Sequence, residues 1–232
     1  MPSLPMDVAP VLFLLPGGEE QNVQETPVIQ LIHESAVSRA TLLLKRGFDI
    51  VFSLISMIAG APLLLLLYLV TKFSSKGPAF FKQERLGRYG KPFTMYKFRS
   101  MHVDAEKDGP QLSSENDPRI TKWGKIIRST RMDELPQFWN VLKGDMSIVG
   151  PRPERRHFAK KIIEREPRYR NLRHLRPGLT SIGQVVFGYA ENVEEMCTRL
   201  QYDLLYLEDM TFRSDMHIIF ETVKVMVQKK GK

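Results

Sequence analysis

The feature that most constrains the fold is an uncharged apolar run, Ile50 to Val70, interrupted near its middle by Gly60 and Pro62. Its 21 residues, at ~1.5 Å each, would give a straight helix of ~31 Å, enough to cross a hydrocarbon core of ~30 Å. Pro62 opposes a straight helix, because it lacks the N–H that would bond the Ile58 carbonyl and its ring crowds the preceding turn. The flanks are basic at both ends, with Lys45 and Arg46 before the run and Lys72 and Lys76 after it. Basic flanks mark the cytoplasmic side. A helix that enters one leaflet, bends at Pro62 and returns would keep both ends cytoplasmic. A spanning helix with a tolerated proline kink is the alternative. A soluble core helix fits less well, since small domains seldom bury so long a run.

A chain of 232 residues has room for one ordinary domain beside such a segment. Lysine and arginine total 34 against 26 acids, a net charge of +8. The excess concentrates in Pro151–Pro177, with ten basic residues against three acidic ones. Such a patch suits phosphate on nucleotides, nucleic acid or lipid headgroups, and a solvated helix face is the plain alternative. The neighbouring apolar run favours phosphate or headgroup contact. A single cysteine, Cys197, excludes an intrachain disulfide and fits a reducing compartment, with packing as its expected role. Residues 1–18 lack a basic leading region and a long enough apolar core for a signal peptide. Frequent prolines there predict extended chain. Within Val28–Leu44, Ile29, Ile32, Ala36, Val37 and Ala40 fall at helical spacing. That predicts an amphipathic helix, lying in a membrane interface or packed on the following domain.

Beyond the apolar run, aromatic-rich Ala79–Gln83 and Pro92–Phe98 flank a link rich in glycine and charge, which reads as a β-hairpin. Met101–Pro118 reads as a long loop, and Ile120–Arg131 as a helix. Leu135, Phe138, Trp139 and Leu142 mark another helix, ending at Lys143-Gly144. Further helices are predicted over Phe158–Glu166, Val193–Leu207 and Met216–Val227. The last carries a stripe of Met216, Ile219, Phe220, Val223 and Val227. The expected fold is mainly α with a small β-hairpin, an α+β arrangement. No glycine-rich dinucleotide fingerprint follows a strand, which argues against a Rossmann sheet.

The sharpest local feature is Arg131-Met132-Asp133-Glu134-Leu135-Pro136-Gln137. Either Pro136 occupies the first turn of a helix, or the helix starts at Thr130 with Asp133 in a capping box. Both readings put Asp133 and Glu134 at a helix amino end, where free N–H groups and the dipole favour anions. A carboxylate held ionised there can serve as nucleophile or magnesium ligand. Simple capping accounts for the same residues.

In this sequence Lys45-Arg46-Gly47-Phe48-Asp49 precedes the apolar run, and Gln83-Glu84-Arg85 and Tyr96-Lys97-Phe98-Arg99-Ser100-Met101 follow it. Then come Asp133-Glu134-Leu135-Pro136-Gln137, Asn140-Val141-Leu142-Lys143-Gly144-Asp145-Met146-Ser147 and Gly150-Pro151-Arg152-Pro153. Arg176-Pro177-Gly178-Leu179-Thr180, Tyr202-Asp203 and Tyr206 complete the series. In this order and spacing, from about Lys45 to about Lys229, the chain resembles the bacterial sugar transferases, monotopic phosphoglycosyl transferases acting on polyprenyl phosphate.

The resemblance implies residues 1–44 as an extension, 45–75 as a re-entrant membrane helix kinked at Pro62, and 76–232 as a catalytic domain on the cytoplasmic face of a bacterial plasma membrane. It implies transfer of a sugar phosphate from a UDP-sugar to polyprenyl (undecaprenyl) phosphate with release of UMP, a step that initiates exopolysaccharide or glycan assembly. Asp133 would be the nucleophile, forming a phosphosugar ester. Glu134 would assist, and both carboxylates would lie at Mg²⁺. Lys97 and Arg99 are candidates to stabilise the transferring phosphoryl group. Arg152, with Pro153 in the same turn, would contact the nucleotide, and Arg176 and Asp203 complete the candidate substrate-binding set. No nucleic acid partner is expected.

Two departures stand out. Many family members carry serine before the membrane proline, where this chain has Ala61. Many small members carry Asn-Gly-Arg after the Gly183-Gln184-Val185 segment, where this chain has Phe187-Gly188-Tyr189. The first forty or so residues fall outside the resemblance, with no room for the additional membrane helices that many relatives carry there. A glycosyltransferase releasing UDP would be told apart by its product. A membrane-anchored binder of anionic lipid or nucleic acid would show steep salt dependence and no need of Asp133.

Overall fold

The computed structural model describes residues 39–228, apart from 108, 115, 116 and 209. Most of the amphipathic stretch read at 28–44, residues 28–38, lies outside the described residues.

The apolar run is built as two helices, α1 (Arg39–Ala59) and α2 (Ala61–Ser74), bent by 65°. α1 runs unbroken through residues 44 and 45. Neither helix alone is long and apolar enough to cross a membrane, whereas the bent pair together has the length and composition. The break falls at Gly60, two residues ahead of the proline that marks it in the sequence. Pro62 sits in the first turn of α2, where its missing N–H would have had no helical partner. Gly60 bonds back to the Ser56 carbonyl at 2.9 Å. A β-carbon at Gly60 would lie 2.5 Å from that same oxygen, so glycine permits the tight exit.

One side of the pair exposes Leu43, Val51, Ile55, Ile58, Leu66 and Phe73. The other side docks on the following domain. Asp49 is 2% exposed and accepts hydrogen bonds from the Ser147 hydroxyl at 3.1 Å and the Ile148 N–H at 2.9 Å. Lys45 meets Asp215 at 2.5 Å. Arg46 donates to the Val141 and Leu142 carbonyls at 2.7 and 3.0 Å. The Lys45–Asp49 motif is thus the clamp between the bent helices and the rest of the chain. On α2, the Trp123 indole donates to Thr71 at 2.9 Å, and Leu67 packs with Phe98 and Ile127.

Strands β1 (Phe80–Leu86) and β2 (Pro92–Phe98) form an antiparallel hairpin with Phe80 opposite Phe98 and Leu86 opposite Pro92. β1 continues past Gln83, because Glu84 and Arg85 pair with Thr94 and Phe93 instead of turning. Residues 101–118 hold no helix or strand among the described residues, apart from a bridge of Met101 to Ile120. Helix α3 (Lys122–Ser129), a 3₁₀ turn at Met132–Glu134 and α4 (Gln137–Lys143) follow. α4 ends at Gly144 with φ 88°, the left-handed termination that glycine allows.

The sequence reading missed a second pair of strands, β3 (Ser147–Val149) and β4 (Gly178–Thr180), which pair in parallel. Between and after them lie α5 (Arg156–Arg165), α6 (Tyr169–Leu172), α7 (Ile182–Val186), α8 (Val193–Glu208) and α9 (Phe212–Val227). The fold is α+β and mostly helical, as expected. Its main core joins Met95, Val141, Met146, Ile148, Tyr202, Tyr206 and Ile218 with Phe48 and Phe52 of α1. A second core gathers α5, α6 and α8 around Phe158, Ile162 and Leu200, with Cys197 packed at its edge.

Candidate active site

Asp133 and Glu134 occupy the 3₁₀ turn ahead of α4, not the helix itself, with Pro136 as the residue before α4. Arg131 enters the turn in the left-handed region at φ 57°. The Glu134 N–H closes the turn on the Arg131 carbonyl at 3.1 Å. Asn140 of α4, wholly buried, ties the helix that follows this turn to β2. It accepts the Tyr96 N–H at 3.1 Å and donates to the Thr94 carbonyl at 2.7 Å. Met95 and Lys97 alternate along β2 and so share a face, Met95 entering the core and Lys97 reaching the turn.

The Lys97 ammonium donates to Glu134 Oε1 at 2.5 Å, and Arg131 lies 3.9 Å from Oε2. Burial alone would raise the Glu134 carboxyl, but Lys97, Arg131 and Arg152 together pull it well below the usual carboxylate range. Burial also lowers the Lys97 ammonium, against the pull of the two carboxylates. Asp133 behaves oppositely. It is 4% exposed; burial pushes its carboxyl up to about 6, the neighbouring Glu134 adding to this and Lys97 opposing it. Its Oδ1 is buried with no hydrogen-bond partner. An unpartnered buried carboxylate oxygen is costly, and Asp133 itself lines a cleft.

That cleft spans about 1330 Å³, open solvent at its mouth included. The hairpin, the 101–119 segment, Arg128, Asp133, the Arg152–Arg155 turn and Tyr189 line it. Eight lysine and arginine side chains border it against three carboxylates, Glu106, Asp133 and Glu154. Some of these charges are structural. Arg199 and Arg85 lie 2.6 and 3.8 Å from Glu154, and Arg155 ties Glu106 of the long loop at 2.6 Å. Arg128, Arg131 and Arg152 converge on the Tyr189 ring, 5.9, 4.8 and 5.9 Å from its centroid.

The candidates from sequence separate on this geometry. Lys97, Arg99, Asp133 and Arg152 border the cleft. Arg99 is 5% exposed, and it spends its donors on the carbonyls of Thr71, Ser75 and Pro78, capping the end of α2. Pro153 is buried and offers its carbonyl to Arg85 at 3.1 Å. Asp203 sits behind the turn, accepting the Gly183 N–H at 3.0 Å and the Arg152 N–H at 3.4 Å, its carboxyl raised by burial to about 6. It therefore holds the Arg152 backbone. Arg176 is not among the cleft residues and donates to the Gly144 carbonyl at 3.1 Å. The basic stretch likewise disperses, with Arg155, Arg165 and Arg168 in ion pairs with Glu106, Glu194 and Glu166. Arg131, Arg128 and Tyr189 were missed as site residues. Arg131 lies two residues ahead of Asp133, the one sequence signal that pointed to it.

No group of three or more histidine, cysteine, aspartate or glutamate side chains gathers as a metal nest among the described residues. Magnesium, however, is commonly held by one or two carboxylates plus substrate phosphates. The unpartnered Asp133 oxygen suits that role, with Glu134 adjacent but occupied by Lys97.

Comparison with known proteins agrees with the motifs. The chain is 40% identical over 188 residues to a UDP-N-acetylgalactosamine-undecaprenyl-phosphate N-acetylgalactosaminephosphotransferase of Aeromonas hydrophila, covering 81% of this chain and 44% of that protein. It is 39% identical to a UDP-glucose:undecaprenyl-phosphate glucose-1-phosphate transferase of Escherichia coli (strain K12), covering 88% of this chain and 44% of the relative. It is 42% identical to the exopolysaccharide production protein PSS of Rhizobium leguminosarum bv. phaseoli, covering 78% of this chain and 94% of the relative. The chain thus spans less than half the length of the first two. The profile of the family described as bacterial sugar transferase matches residues 40–229, and the chain belongs to that family.

Proposed function

We propose that the protein transfers a sugar-1-phosphate from a UDP-sugar to undecaprenyl or a similar polyprenyl phosphate, through a covalent Asp133 intermediate. The carrying observation is Asp133, buried with one oxygen unpartnered, lining an arginine-rich cleft beside a Lys97–Glu134 pair. The relatives' names support the two substrates.

In this reading the cleft takes the nucleotide sugar, and Arg152 and Arg128 bind its phosphates by charge-assisted bonds. An Asp133 oxygen attacks the sugar-bearing phosphorus. The bond from that phosphorus to the bridging oxygen breaks, and UMP leaves with the bridging oxygen's electron pair. An acyl phosphate bearing the sugar remains on Asp133. An oxygen of the polyprenyl phosphate then attacks the same phosphorus. The aspartyl oxygen leaves, which regenerates the carboxylate and yields a polyprenyl diphosphate sugar. Lys97 keeps Glu134 ionised and adds positive charge where the phosphoryl group transfers. Mg²⁺, held by Asp133 with Glu134 alongside and by substrate phosphate oxygens, would offset the diphosphate charge. The bent helix pair would dip into the cytoplasmic leaflet of the bacterial plasma membrane with both ends cytoplasmic, its exposed apolar face toward lipid.

Incubation with a panel of UDP-sugars and Mg²⁺, without lipid, tests this reading. The expected result is UMP release and a mass gain of one sugar phosphate on the peptide holding Asp133. Asp133→Asn keeps the size and should abolish both. Release of UDP, turnover surviving in Asp133→Asn, or an adduct on Glu134 would each overturn it.

A further inference from the structure

The acidic pair borders two spaces. Asp133 lines the arginine-rich cleft, whereas Glu134 and Arg131 line a second groove that shares none of its lining with the first. This groove spans about 790 Å³, open solvent at its mouth included. Its walls are apolar: Phe52 of α1, Phe138 of α4, Leu179 of β4, Val185 of α7, and Ile219 and Val223 of α9. It runs from the surface, where Val223 is 52% exposed, to Glu134, which is 7% exposed. The outer wall continues into an exposed stripe of Phe220, Val223 and Val227 on α9. The helix that contributes Phe52 exposes Val51 and Ile55 on the surface read above as lipid-facing.

A groove with hydrocarbon walls and charge at one end matches an amphiphile with an anionic head. A nucleotide would leave its ribose and base polar atoms unpaired here, and an isoprenoid chain would not. Arg131 is the one cation lining the groove among the described residues. Its guanidinium stands between Glu134 and the Tyr189 ring, at 3.9 and 4.8 Å. The Glu134 charge that would repel a phosphate is met by Lys97 at 2.5 Å. We infer that this groove takes the isoprenoid chain of the acceptor and that Arg131 receives its phosphate, so that donor and acceptor reach the Asp133–Glu134 turn by separate entrances. The inference rests on the functional reading above and adds the acceptor's seat to it.

The test uses the full chain in detergent micelles. Val185→Trp and Ile219→Trp fill the groove without altering Arg131, Glu134 or the cleft. UMP release from the UDP-sugar in the absence of lipid should stay unchanged, which also reports an intact fold. The KM for undecaprenyl phosphate should rise at least roughly tenfold, since displacing about two methylenes suffices for that factor. The KM for geranyl phosphate, with its much shorter chain, should rise less. An unchanged undecaprenyl phosphate KM in a variant that still releases UMP overturns the inference. A second measurement uses the unmodified protein and a polyprenyl phosphate with a photoactivatable diazirine in its chain. Crosslinks on the Ile182–Val186 or Phe212–Val227 peptides are expected. Crosslinks confined to the cleft, or to the exposed faces of α1 and α2, overturn it. If no UDP-sugar yields UMP, the functional reading fails, while the crosslink map still decides where a prenyl phosphate sits.

Discussion

Replacing Lys97 by methionine keeps the side chain's length and removes the cation that pairs with Glu134 and opposes the burial of Asp133. Two effects follow from the geometry. Glu134 loses its partner at 2.5 Å and keeps Arg131 at 3.9 Å. Breaking a buried pair from one side costs about 3–5 kcal/mol, and the residual arginine puts this case near about 3. In a chain of this size that lowers Tm by roughly 6–12 °C, leaving a folded protein. The second effect is on Asp133. Lys97 is the largest influence opposing the burial that sets this carboxyl at about 6, so its removal moves the carboxyl further up. At about 6, some nine-tenths of Asp133 is ionised at about pH 7, and one further unit, about 1.4 kcal/mol, leaves only about half. The assay is single-turnover UMP release from the UDP-sugar at saturating Mg²⁺, from about pH 5.5 to 9. The midpoint of the rising limb should lie higher in Lys97→Met than in the unmodified protein, and part of the lost rate should return at alkaline pH. A midpoint that stays put or moves to lower pH would refute the role of Lys97 as the counter-charge of this pair.

Arg152→Ala should raise the donor KM or lower turnover by roughly 10- to 100-fold, the equivalent of about 1.5–3 kcal/mol for one charge-assisted bond, with Tm unchanged; unaltered kinetics would remove Arg152 from the donor site. Asp49→Ala leaves the buried Ile148 N–H without its acceptor and should cost about 1–3 kcal/mol, whereas Asp49→Asn keeps an acceptor and should be milder. Equal melting temperatures for the two variants would show that the bond contributes nothing. Cysteines placed near Lys45 and near Lys76 should react with an impermeant thiol reagent from the same side of the membrane, and Pro62→Leu should send one of them to the other side. Labelling of the two ends from opposite faces in the otherwise unmodified protein would establish a spanning helix instead.

Features that depend on short-range chemistry were legible in the sequence. The hairpin, α4 with its Gly144 stop, and the bend in the apolar run follow from alternation, helical spacing and the positions of glycine and proline. The strands β3 and β4 were not, because three residues each carry no periodicity and their parallel pairing joins Ser147 to Gly178 across two helices. Arg99 shows the same limit within the site. Its sequence neighbour Lys97 reaches the carboxylates, but nothing local indicates that Arg99 turns to the end of α2, 24 residues away at Ser75. Tyr189 drew notice only as a departure from a family arginine, whereas folding gathers three arginines around its ring. The stripe read on α9 is divided by the fold: Ile219 packs against the core beside the buried Ile218, whereas Phe220, Val223 and Val227 are exposed.

The Asp49 clamp bears on how the protein is made. Asp49 is satisfied by Ser147 and Ile148, which lie 98 and 99 residues further along the chain. At about 5–20 residues per second, the ribosome needs roughly 5–20 s to supply them. During that interval Asp49 has no Ser147 or Ile148 to bond, and in the proposed membrane setting a carboxylate would not settle cheaply into hydrocarbon alone. Under the proposed seating in a bilayer, placement of the helix pair and closure of the domain around β3 would be coupled through Asp49, and a fragment ending at Ser75 lacks the two groups that satisfy this carboxylate.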